Sequence, residues 1–378
     1  MKVLPGSTLG MLGGGQLGRM FTIAARTMGY EVVVLDPDKE SPAGKLATRH
    51  LCADYSDQAA LEQIAKSCAA VTTEFENVPA STLEALAASC PVRPGAHAVT
   101  ITQDRIHEKT FLRDNGFPTA PFAVVQSFED LESGIIEISA PAILKVSRFG
   151  YDGKGQFGIK TNSDIKAGWE ALQGEACVLE QRMPLDIEVS VVLGRGLDGE
   201  VVTYPVAENI HEGGILDISI VPARINETLE SKVIAMAKDI ADKLEYVGVM
   251  AVEFFISNGQ LLVNEIAPRP HNSGHYTLDA CVTDQFEQQV RAVSGLPLGE
   301  TRLLSPVVMI NMLGDIWHNG KAPDWNKLLD HPNVKLHLYG KREARPGRKM
   351  GHFNVLAADI DSALLLAQDI KTRLLQAD

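Results

Sequence analysis

Two apolar runs joined by a short polar turn constrain the fold of this chain more than any other stretch. Residues 249–256 form the first run, residues 261–263 begin the second, and Ser-Asn-Gly-Gln at 257–260 lies between them. Asn-Gly in this position is typical of a tight turn between antiparallel strands, because both residues tolerate positive φ. Pro268 and Pro270 then prevent the second strand from continuing. The sequence therefore predicts a buried β-hairpin that ends in a rigid, polar loop.

Each strand of this hairpin carries one acid. Glu253 lies five positions before the Asn258-Gly259 turn and Glu265 six positions after it, so a one-residue irregularity would bring them side by side. Two carboxylates in an apolar setting cannot both stay ionised without a cation. With Asn264 adjacent, the ligands are all oxygens, which suits Mg²⁺. The alternative is that Glu253 is an edge-strand charge facing water, but a lone acid in an apolar run favours the metal site.

Length, composition and charge restrict the class of protein. The 378 residues are enough for two or three domains, and 45% hydrophobic with 22% charged residues is typical of a globular protein with a large core. The net charge of −13, without a long basic tract, argues against a nucleic-acid partner. Five scattered cysteines without a C-x-x-C spacing indicate reduced thiols in a cytoplasmic protein. We see no apolar run of membrane length and no signal-peptide pattern.

The first hundred residues have the pattern of a small parallel α/β domain. Gly13, Gly15 and Gly18 satisfy G-x-G-x-x-G between a strand and a helix, and Asp36 ends the next strand. This spacing predicts a dinucleotide site with Asp36 on a ribose. The glycines alone, however, guarantee only a tight turn and close approach to an anion at a helix N-terminus.

A further strand candidate at residues 69–73 also ends in polar groups. Glu74, Glu76 and Asn77 follow it directly, and α/β sheets bind ligands at the carboxyl ends of parallel strands. The alternative is that one of the two acids caps the helix that begins near Ala80.

The middle of the chain supplies cations and glycines. Arg105 and Lys109 share a helix face at i, i+4 spacing, and we expect Lys109 to be exposed to solvent. Lys145 ends an apolar strand and, if buried, needs an anionic partner. Residues 150–156 then interleave three glycines with charged residues, which suits a mobile loop whose amides cover phosphates. The Walker A pattern is absent from this loop.

Two later stretches complete the candidate site. Residues 177–183 form a strand whose exit can read an adenine edge, and Glu188 lies within the next β-type run. Near the end, Arg345, Arg348 and Lys349 lie between Pro and Gly in a rigid turn. A solvated loop would explain these cations, but in an acidic protein we favour a phosphate-binding role.

Together these parts resemble N5-carboxyaminoimidazole ribonucleotide synthetases, the ATP-grasp carboxylases of bacterial and fungal purine synthesis. The motifs GGGQLGRM, TTEFENVP, GYDGKGQ, AVEFF, LLVNEIAPRPHNSGHY and EARPGRKMGH occur in order from about residue 10 to residue 352. The ATP-grasp motifs are shared with many ligases, whereas EIAPRPHNSGHY and ARPGRKMGH are more specific. In this family the glycine turn at Gly13 cradles the ribonucleotide rather than NAD.

The resemblance implies an α/β chain, α+β in its later domains, with the ATP-grasp fold. We expect an N-terminal Rossmann-like pre-ATP-grasp domain at residues 1–100, an ATP-grasp domain at 101–300 with a lid at about 120–185, and a small C-terminal domain at 301–378. It also implies that ATP and bicarbonate form carboxyphosphate, which carboxylates the amine of 5-aminoimidazole ribonucleotide. A cytoplasmic homodimer is expected, with apolar residues 303–313 able to form its interface.

The family roles carry over to matching residues. Glu253 and Glu265 would bind two Mg²⁺ ions. Arg269 and His271 would lie at the bicarbonate and carboxyphosphate, and they would be catalytic together with Tyr151 and Asp152, with His271 or Asp152 as the proton acceptor. The ribonucleotide would be held by Gln16, Glu74, Tyr151, Asp152, Lys341, Arg348 and Lys349. ATP would be bound by Arg105, Lys145, Gly150, Tyr151, Asp152, Gly153, Lys154, Gly155, Gln156, Glu180, Gln181, Arg182, Met183, Glu188, His211, Asn264 and Glu265.

Four competing interpretations remain open from the sequence. An NAD-dependent oxidoreductase would explain the Gly13 turn but not the paired acids. A zinc site at His271 and His275 would need a helix, against which Pro270 and Gly274 argue. A nucleotide-sensing module would not need acids for two metals. A different ATP-grasp ligase, such as a formate-dependent purine transformylase, is the nearest rival.

Overall fold

The computed structural model describes residues 2–150 and 153–376, which form three β-sheets with helices packed against them. The first sheet is parallel, in the order β3-β2-β1-β4, so that the carboxyl ends of its strands meet at one edge. This confirms the predicted parallel α/β unit. Its elements are β1 (Thr8–Leu12), α1 (Gln16–Thr27), β2 (Glu31–Leu35), β3 (Arg49–Leu51), α2 (Gln58–Ser67), β4 (Ala70–Thr73) and α3 (Ala80–Ala87).

Two helices, α4 (Ala96–Thr102) and α5 (Arg105–Asp114), connect this unit to the rest of the chain. Asp104 caps α5 by accepting hydrogen bonds from the N–H groups of Ile106 and His107. The expectation that Lys109 is exposed is wrong. Helix α5 packs its Lys109 face against the neighbouring sheets, and the residue is 1% exposed.

A small antiparallel sheet follows, in the order β5-β8-β6-β7. Its hydrophobic core lies between the sheet and α6, with Leu131, Leu144 and Leu179 fully buried. The elements are β5 (Phe122–Val125), α6 (Phe128–Ile138), β6 (Ala142–Val146), β7 (Gln156–Ile159), α7 (Ile165–Ala171) and β8 (Cys177–Gln181).

The largest sheet runs in the order β14-β13-β9-β11-β12-β15-β17-β16, with β10 paired to β9. The predicted hairpin is β13–β14, and β14 is an outermost strand. The strands are β9 (Ile187–Arg195), β10 (Val201–Thr203), β11 (Ala207–Glu212), β12 (Ile215–Val221), β13 (Gly248–Ser257), β14 (Gln260–Ala267), β15 (Val307–Leu313), β16 (Val334–Leu338) and β17 (Lys349–Leu356). The helices are α8 (Glu227–Lys243), α9 (Thr277–Ala280), α10 (Gln285–Ser294), α11 (Asn326–Leu329) and α12 (Ile360–Leu375).

This sheet continues without interruption past residue 300, because β15 pairs with β12 on one side and β17 on the other. The apolar residues 307–310 are therefore buried inside the chain. The expectation that residues 303–313 offer a dimer face is wrong for this strand. Among the described residues, no helix is both long enough and apolar enough to cross a membrane.

Candidate active site

The β13–β14 hairpin places its two acids opposite each other, as predicted. Glu253 pairs with Glu265, and the register shifts directly afterwards, so that Phe254 pairs with Val263 and Asn264 is the extra, bulged residue. The amide of Asn264 turns towards the acids and donates a hydrogen bond of 3.2 Å to Glu253 Oε2. The bulge thus gathers three oxygen-bearing side chains at one point.

The two carboxylates differ in their electrostatic surroundings. Burial and the neighbouring Glu265 raise the pKa of Glu253 to about 7. The pKa of Glu265 is lowered instead, because the charges of Arg105 and Lys145 outweigh the effect of burial. A cation between the acids would relieve the penalty at Glu253, and the donor set of two carboxylates and an amide suits Mg²⁺.

Arg105 links this pair to the glycine loop. Its guanidinium lies 3.2 Å from Glu265 Oε2 and donates a second hydrogen bond to the carbonyl of Gly150. A polar cavity of about 50 Å³ lies between Arg105, Gly150, Glu265 and Arg269.

Lys145, on β6, has the anionic partner that its position requires. Its Nζ lies 2.9 Å from Glu180 Oε2, and Lys109 Nζ lies 3.5 Å from the other oxygen of the same carboxylate. These two ammonium groups outweigh burial and lower the pKa of Glu180 to about 2. The Glu180 side chain therefore anchors the lysine, so any contact that Glu180 makes with a nucleotide falls to its backbone.

The exit of β8 and the neighbouring strands supply the remaining predicted nucleotide contacts. The N–H groups of Gln181 and Arg182 already donate to the carbonyls of Pro121 and Pro141, so a donor for a base edge must come from another residue, such as Met183. Glu188 on β9 and His211 on β11 face each other, with 2.8 Å between Glu188 Oε2 and His211 Nδ1.

The glycine loop between β6 and β7 is only partly described. Gly150, Gly153, Lys154, Gly155 and Gln156 are placed, whereas Tyr151 and Asp152 lie outside the described residues. Gly153 and Gly155 have φ of +74° and +70°, which L side chains rarely adopt. The loop therefore depends on glycine at both positions.

A chain of hydrogen bonds ends on His271. Ser219 donates to Asn209, Asn209 to Ser190, and Ser190 to the hydroxyl of Ser273. Ser273 approaches His271 Nδ1 with both its backbone N–H and its hydroxyl, at 3.3 and 2.8 Å. Nδ1 is thus the acceptor, so the neutral ring carries its proton on Nε2, which lies 3.3 Å from Glu253 Oε1. Burial and the charge of Arg269 hold the pKa of His271 well below its usual value.

The glycine turn after β1 holds an anion from its own chain. The N–H groups of Gly15 and Gly18 donate to the carboxylate of Glu74, at the carboxyl end of β4. Asp36 accepts hydrogen bonds from Gly14 N–H and the Tyr55 hydroxyl, at 2.7 and 3.0 Å. The dinucleotide interpretation is wrong, because Glu74 takes the amides that would bind a pyrophosphate and Asp36 is occupied within the turn.

Glu76 joins this N-terminal unit to the loop after β14. Its carboxylate lies 2.5 Å from Arg269 Nε, and the Arg269 charge and hydrogen bond outweigh burial and lower its pKa. The cap of α3 is Pro79, without a side-chain hydrogen bond. The capping interpretation is therefore wrong for both Glu74 and Glu76, and sequence reasoning missed the ion pair of Glu76.

The cationic turn near the end of the chain reaches the same region. Lys341 Nζ donates to the carbonyl of Lys349, the first residue of β17, and the charge of Lys341 acts on Glu74. Arg342 pairs with Glu40 of the N-terminal unit at 2.5 Å. Arg348 donates to the carbonyl of Glu343 within the turn. Gln16, the first residue of α1, lies beside the Glu74 turn. The predicted ribonucleotide residues thus belong to two units that meet.

The zinc interpretation does not fit this geometry. Residues Asn272–Gly274 form a single 3₁₀ turn, and His275 Nδ1 lies 3.0 Å from Gln285 Nε2 while His271 Nδ1 is taken by Ser273. Within the described part of the chain, no group of three or more His, Cys, Asp or Glu side chains could hold a metal ion.

Comparison with known domains divides the chain into three matching regions. Residues 6–103 match the ribonucleotide synthetase preATP-grasp domain, residues 110–286 the ATP-grasp domain, and residues 307–365 the phosphoribosylaminoimidazole carboxylase C-terminal domain. The predicted fold class is confirmed by these matches.

Individual relatives match over nearly the whole chain. The N5-carboxyaminoimidazole ribonucleotide synthase of Bacillus subtilis is 44% identical over 356 residues, which cover 94% of this chain and 92% of that protein. The Staphylococcus aureus N5-carboxyaminoimidazole synthetase complexed with ADP has a TM-score of 0.92 at 39% identity, covering 99% of this chain and 98% of that one. The Aspergillus clavatus N5-carboxyaminoimidazole synthase, in complex with ADP and 5-aminoimidazole ribonucleotide, has a TM-score of 0.90 at 31% identity, covering 97% and 98%. The chain therefore belongs to the N5-carboxyaminoimidazole ribonucleotide synthase family.

Proposed function

We propose that this chain is an ATP-dependent ligase that carboxylates the amino group of 5-aminoimidazole ribonucleotide, giving N5-carboxyaminoimidazole ribonucleotide, ADP and phosphate. The observation that carries the proposal is the Glu253–Glu265 pair beside Arg105 and Arg269, joined to the glycine turn through the Arg269–Glu76 ion pair. The proposed phosphoryl-transfer centre and the proposed ribonucleotide site therefore lie next to each other.

In this proposal, an oxygen of bicarbonate attacks the γ-phosphorus of ATP and the bond to ADP breaks, which gives carboxyphosphate. The amine of the ribonucleotide then attacks the carboxyl carbon, phosphate leaves, and the amine loses a proton. Arg105, Lys145 and Arg269 would neutralise the charge that these steps bring together. Because water destroys carboxyphosphate, the loop at residues 150–156, with Tyr151 and Asp152, would close before the chemistry.

Glu253 and Glu265, with Asn264 beside them, would hold the two Mg²⁺ ions that this family is expected to use. When bound, Mg²⁺ supplies charge neutralisation at the transferring phosphoryl group. Neighbouring side chains of this chain position the Glu253 carboxylate for Mg²⁺. The Asn264 amide donates a hydrogen bond to the Glu253 carboxylate, and His271 Nε2 lies 3.3 Å from its other oxygen.

This arrangement gives His271 a different role from proton acceptor. Its Nδ1 accepts from Ser273, and the proton on Nε2 faces Glu253. We propose that His271 orients the metal acid and that Asp152 accepts the proton of the amine. Gln16, Glu74, Lys341, Arg348 and Lys349 would bind the ribonucleotide, with Lys349 and Lys341 at its phosphate.

For the nucleotide, we propose that Glu188 and His211 bind the ribose and that the backbone at residues 180–183 reads the adenine edge. A cytoplasmic location and a homodimer also remain predictions. The five free cysteines support the first, and sedimentation of the purified chain would test the second.

ADP release tests the proposed function directly. Purified protein is given Mg-ATP and 5-aminoimidazole ribonucleotide, with bicarbonate supplied or rigorously removed. We expect release only when the ribonucleotide and bicarbonate are both present. Release that requires formate or another acyl acid would keep the fold but change the substrate, and ATP binding without any release would favour a sensing module.

A further inference from the structure

Strand β14 is the outermost strand of the large sheet on its side, so one row of its backbone groups faces away from β13. Three of these groups have partners outside the sheet. Val263 N–H donates to the carbonyl of Pro118 at 2.7 Å, the carbonyl of Asn264 accepts from Lys109 Nζ at 2.8 Å, and Ile266 N–H donates to the carboxyl of Glu108.

The last two contacts have the pattern of a strand pairing. In a parallel pair, a residue on one strand makes two hydrogen bonds around the residue opposite to it. Its N–H donates to the carbonyl of the residue that precedes the opposite one, and its carbonyl accepts from the N–H of the residue that follows the opposite one. Around Glu265, the Lys109 ammonium takes the place of the donor to the Asn264 carbonyl, and the Glu108 carboxyl takes the place of the acceptor for the Ile266 N–H. The isolated parallel bridge between Thr119 and Val263 continues the same arrangement. Two consecutive side chains of α5 therefore replace the strand residue that would lie opposite Glu265.

This replacement lies where β14 is least regular. Asn264 is the bulged residue, so its pairing with β13 is interrupted beside both metal acids. Contacts from the outer side are therefore needed to fix the peptide groups on either side of Glu265. Lys109 also lies 3.5 Å from Glu180, which holds Lys145.

Both side chains are almost completely buried, with Lys109 1% exposed and Glu108 2% exposed. Glu108 lies at the wall of the polar cavity beside Arg105 and Glu265, but its carboxyl is engaged by the N–H of Ile266 and the ammonium of Lys109 by the carbonyl of Asn264. We therefore expect these residues to act on the reaction through the groups that they hold. Such a buried polar network is costly to interrupt, because a removed partner leaves a desolvated polar group behind.

We infer that Glu108 and Lys109 are positioning residues of the phosphoryl-transfer centre, which hold the bulge of β14 so that Asn264 and Glu265 face the nucleotide phosphates. Through Glu180, Lys109 also fixes Lys145. The inference rests on the proposed function, since its consequence is measured as Mg²⁺-dependent ADP release.

Three variants separate positioning from simple stabilisation. Glu108→Gln keeps an oxygen that accepts from Ile266 N–H, whereas Glu108→Ala removes it. Lys109→Met keeps the length of the side chain but removes the donor to Asn264. As a control for stability alone, Asp359→Ala removes the N-cap of α12, in the C-terminal part of the chain.

We expect Glu108→Ala and Lys109→Met to raise both the Mg²⁺ concentration for half-maximal ADP release and the KM for ATP by about ten- to a hundredfold, as for one unsatisfied buried group. Glu108→Gln should stay within about twofold of the wild type, since the acceptor remains. The KM for the ribonucleotide should not change in any of them. Asp359→Ala should lower the thermal midpoint and leave both kinetic constants unchanged.

Normal Mg²⁺ and ATP dependence in Lys109→Met, with a lowered thermal midpoint as in the control, would overturn the inference. Equal impairment of Glu108→Gln and Glu108→Ala would do the same. If Glu108→Ala does not fold, the Mg²⁺ and ATP dependence of Lys109→Met and Glu108→Gln still tests the inference. If the wild type itself releases no ADP, the proposed function fails instead, and calorimetric Mg-ADP affinities of the same variants decide the inference.

Discussion

At the scale of single residues, the candidate site depends on neighbouring groups of opposite and like charge. Glu253 and Glu265 have the same chemistry, yet the pKa of Glu253 is raised and that of Glu265 is lowered. The Glu253 side chain is the more buried of the two, at 13% exposed against 37% for Glu265. The difference arises because Arg105 contacts Glu265 directly while Glu253 faces an amide and a neutral imidazole. Glu265 is thus the acid that is ionised before any metal arrives.

We predict that Glu265→Gln lowers ADP release by at least about a hundredfold, because a charged Mg²⁺ ligand supplies several kcal/mol of transition-state stabilisation. Initial rates at saturating Mg-ATP measure the effect. Glu62→Gln, an exposed acid on α2, is the matched control. Near-normal release by the Glu265 variant would remove the metal assignment.

We also predict that apparent Mg²⁺ affinity depends on pH through Glu253. Its pKa is raised to about 7, so below that pH the carboxyl is protonated and Mg²⁺ must displace the proton. The Mg²⁺ concentration for half-maximal rate should rise by up to about tenfold per pH unit as the pH falls below 7, and level off above it. Titrations from pH 6 to pH 8 test this, and a flat profile would contradict it.

At the scale of elements, the turn before β17 is the segment that we propose to bind the ribonucleotide. Lys349 begins β17 and its charge acts on His271, whereas Arg345 on the same turn is largely exposed. The two cations differ in orientation although they are close in sequence.

We predict that Lys349→Ala raises the KM for the ribonucleotide by about tenfold or more, since a charge-assisted hydrogen bond to phosphate is lost, and changes the KM for ATP little. Steady-state kinetics with each substrate varied in turn provides the measurement. Arg345→Ala serves as control and should change neither constant. A larger effect of Lys349→Ala on ATP would place this turn at the other site.

At the scale of the whole molecule, three units meet around one centre. The N-terminal unit contributes Glu76 to Arg269, the small sheet contributes Lys145, and the large sheet contributes the paired acids. A nucleotide with Mg²⁺ would contact the last two units at once.

Binding should therefore stabilise the chain against unfolding. At a hundredfold excess over Kd, Mg-ADP is expected to add about 2.7 kcal/mol to the free energy of unfolding. Thermal unfolding with and without Mg-ADP measures the increase in midpoint. EDTA should cancel most of it, and an undiminished shift in EDTA would contradict a role for the metal in nucleotide binding.

Local pattern was sufficient to predict several parts of the site. The hairpin, its bulged register and the pairing of Glu253 with Glu265 were predictable because strand period and turn position are properties of a short stretch. The anionic partner of Lys145 was predictable in kind, since a buried lysine requires one, but not in identity. Glu180 supplies it from a strand that is 35 positions away in the sequence.

Local sequence was enough to predict the helices and strands, the glycine-dependent turns and, through the order of the motifs, the family. Tertiary structure decided which charges are buried and with whom. The sequence predicted that Lys109 is an exposed cation on a helix, yet it donates to the carbonyl of Asn264, 155 positions away. Glu108 accepts from the N–H of Ile266, 158 positions away. Glu74 and Glu76 were predicted to bind a ligand or to cap a helix. Instead, Glu74 binds the glycine turn and Glu76 binds Arg269. The physical reason is that periodicity reports which face of an element is apolar, whereas the partner of a polar group depends on which distant segment packs against it.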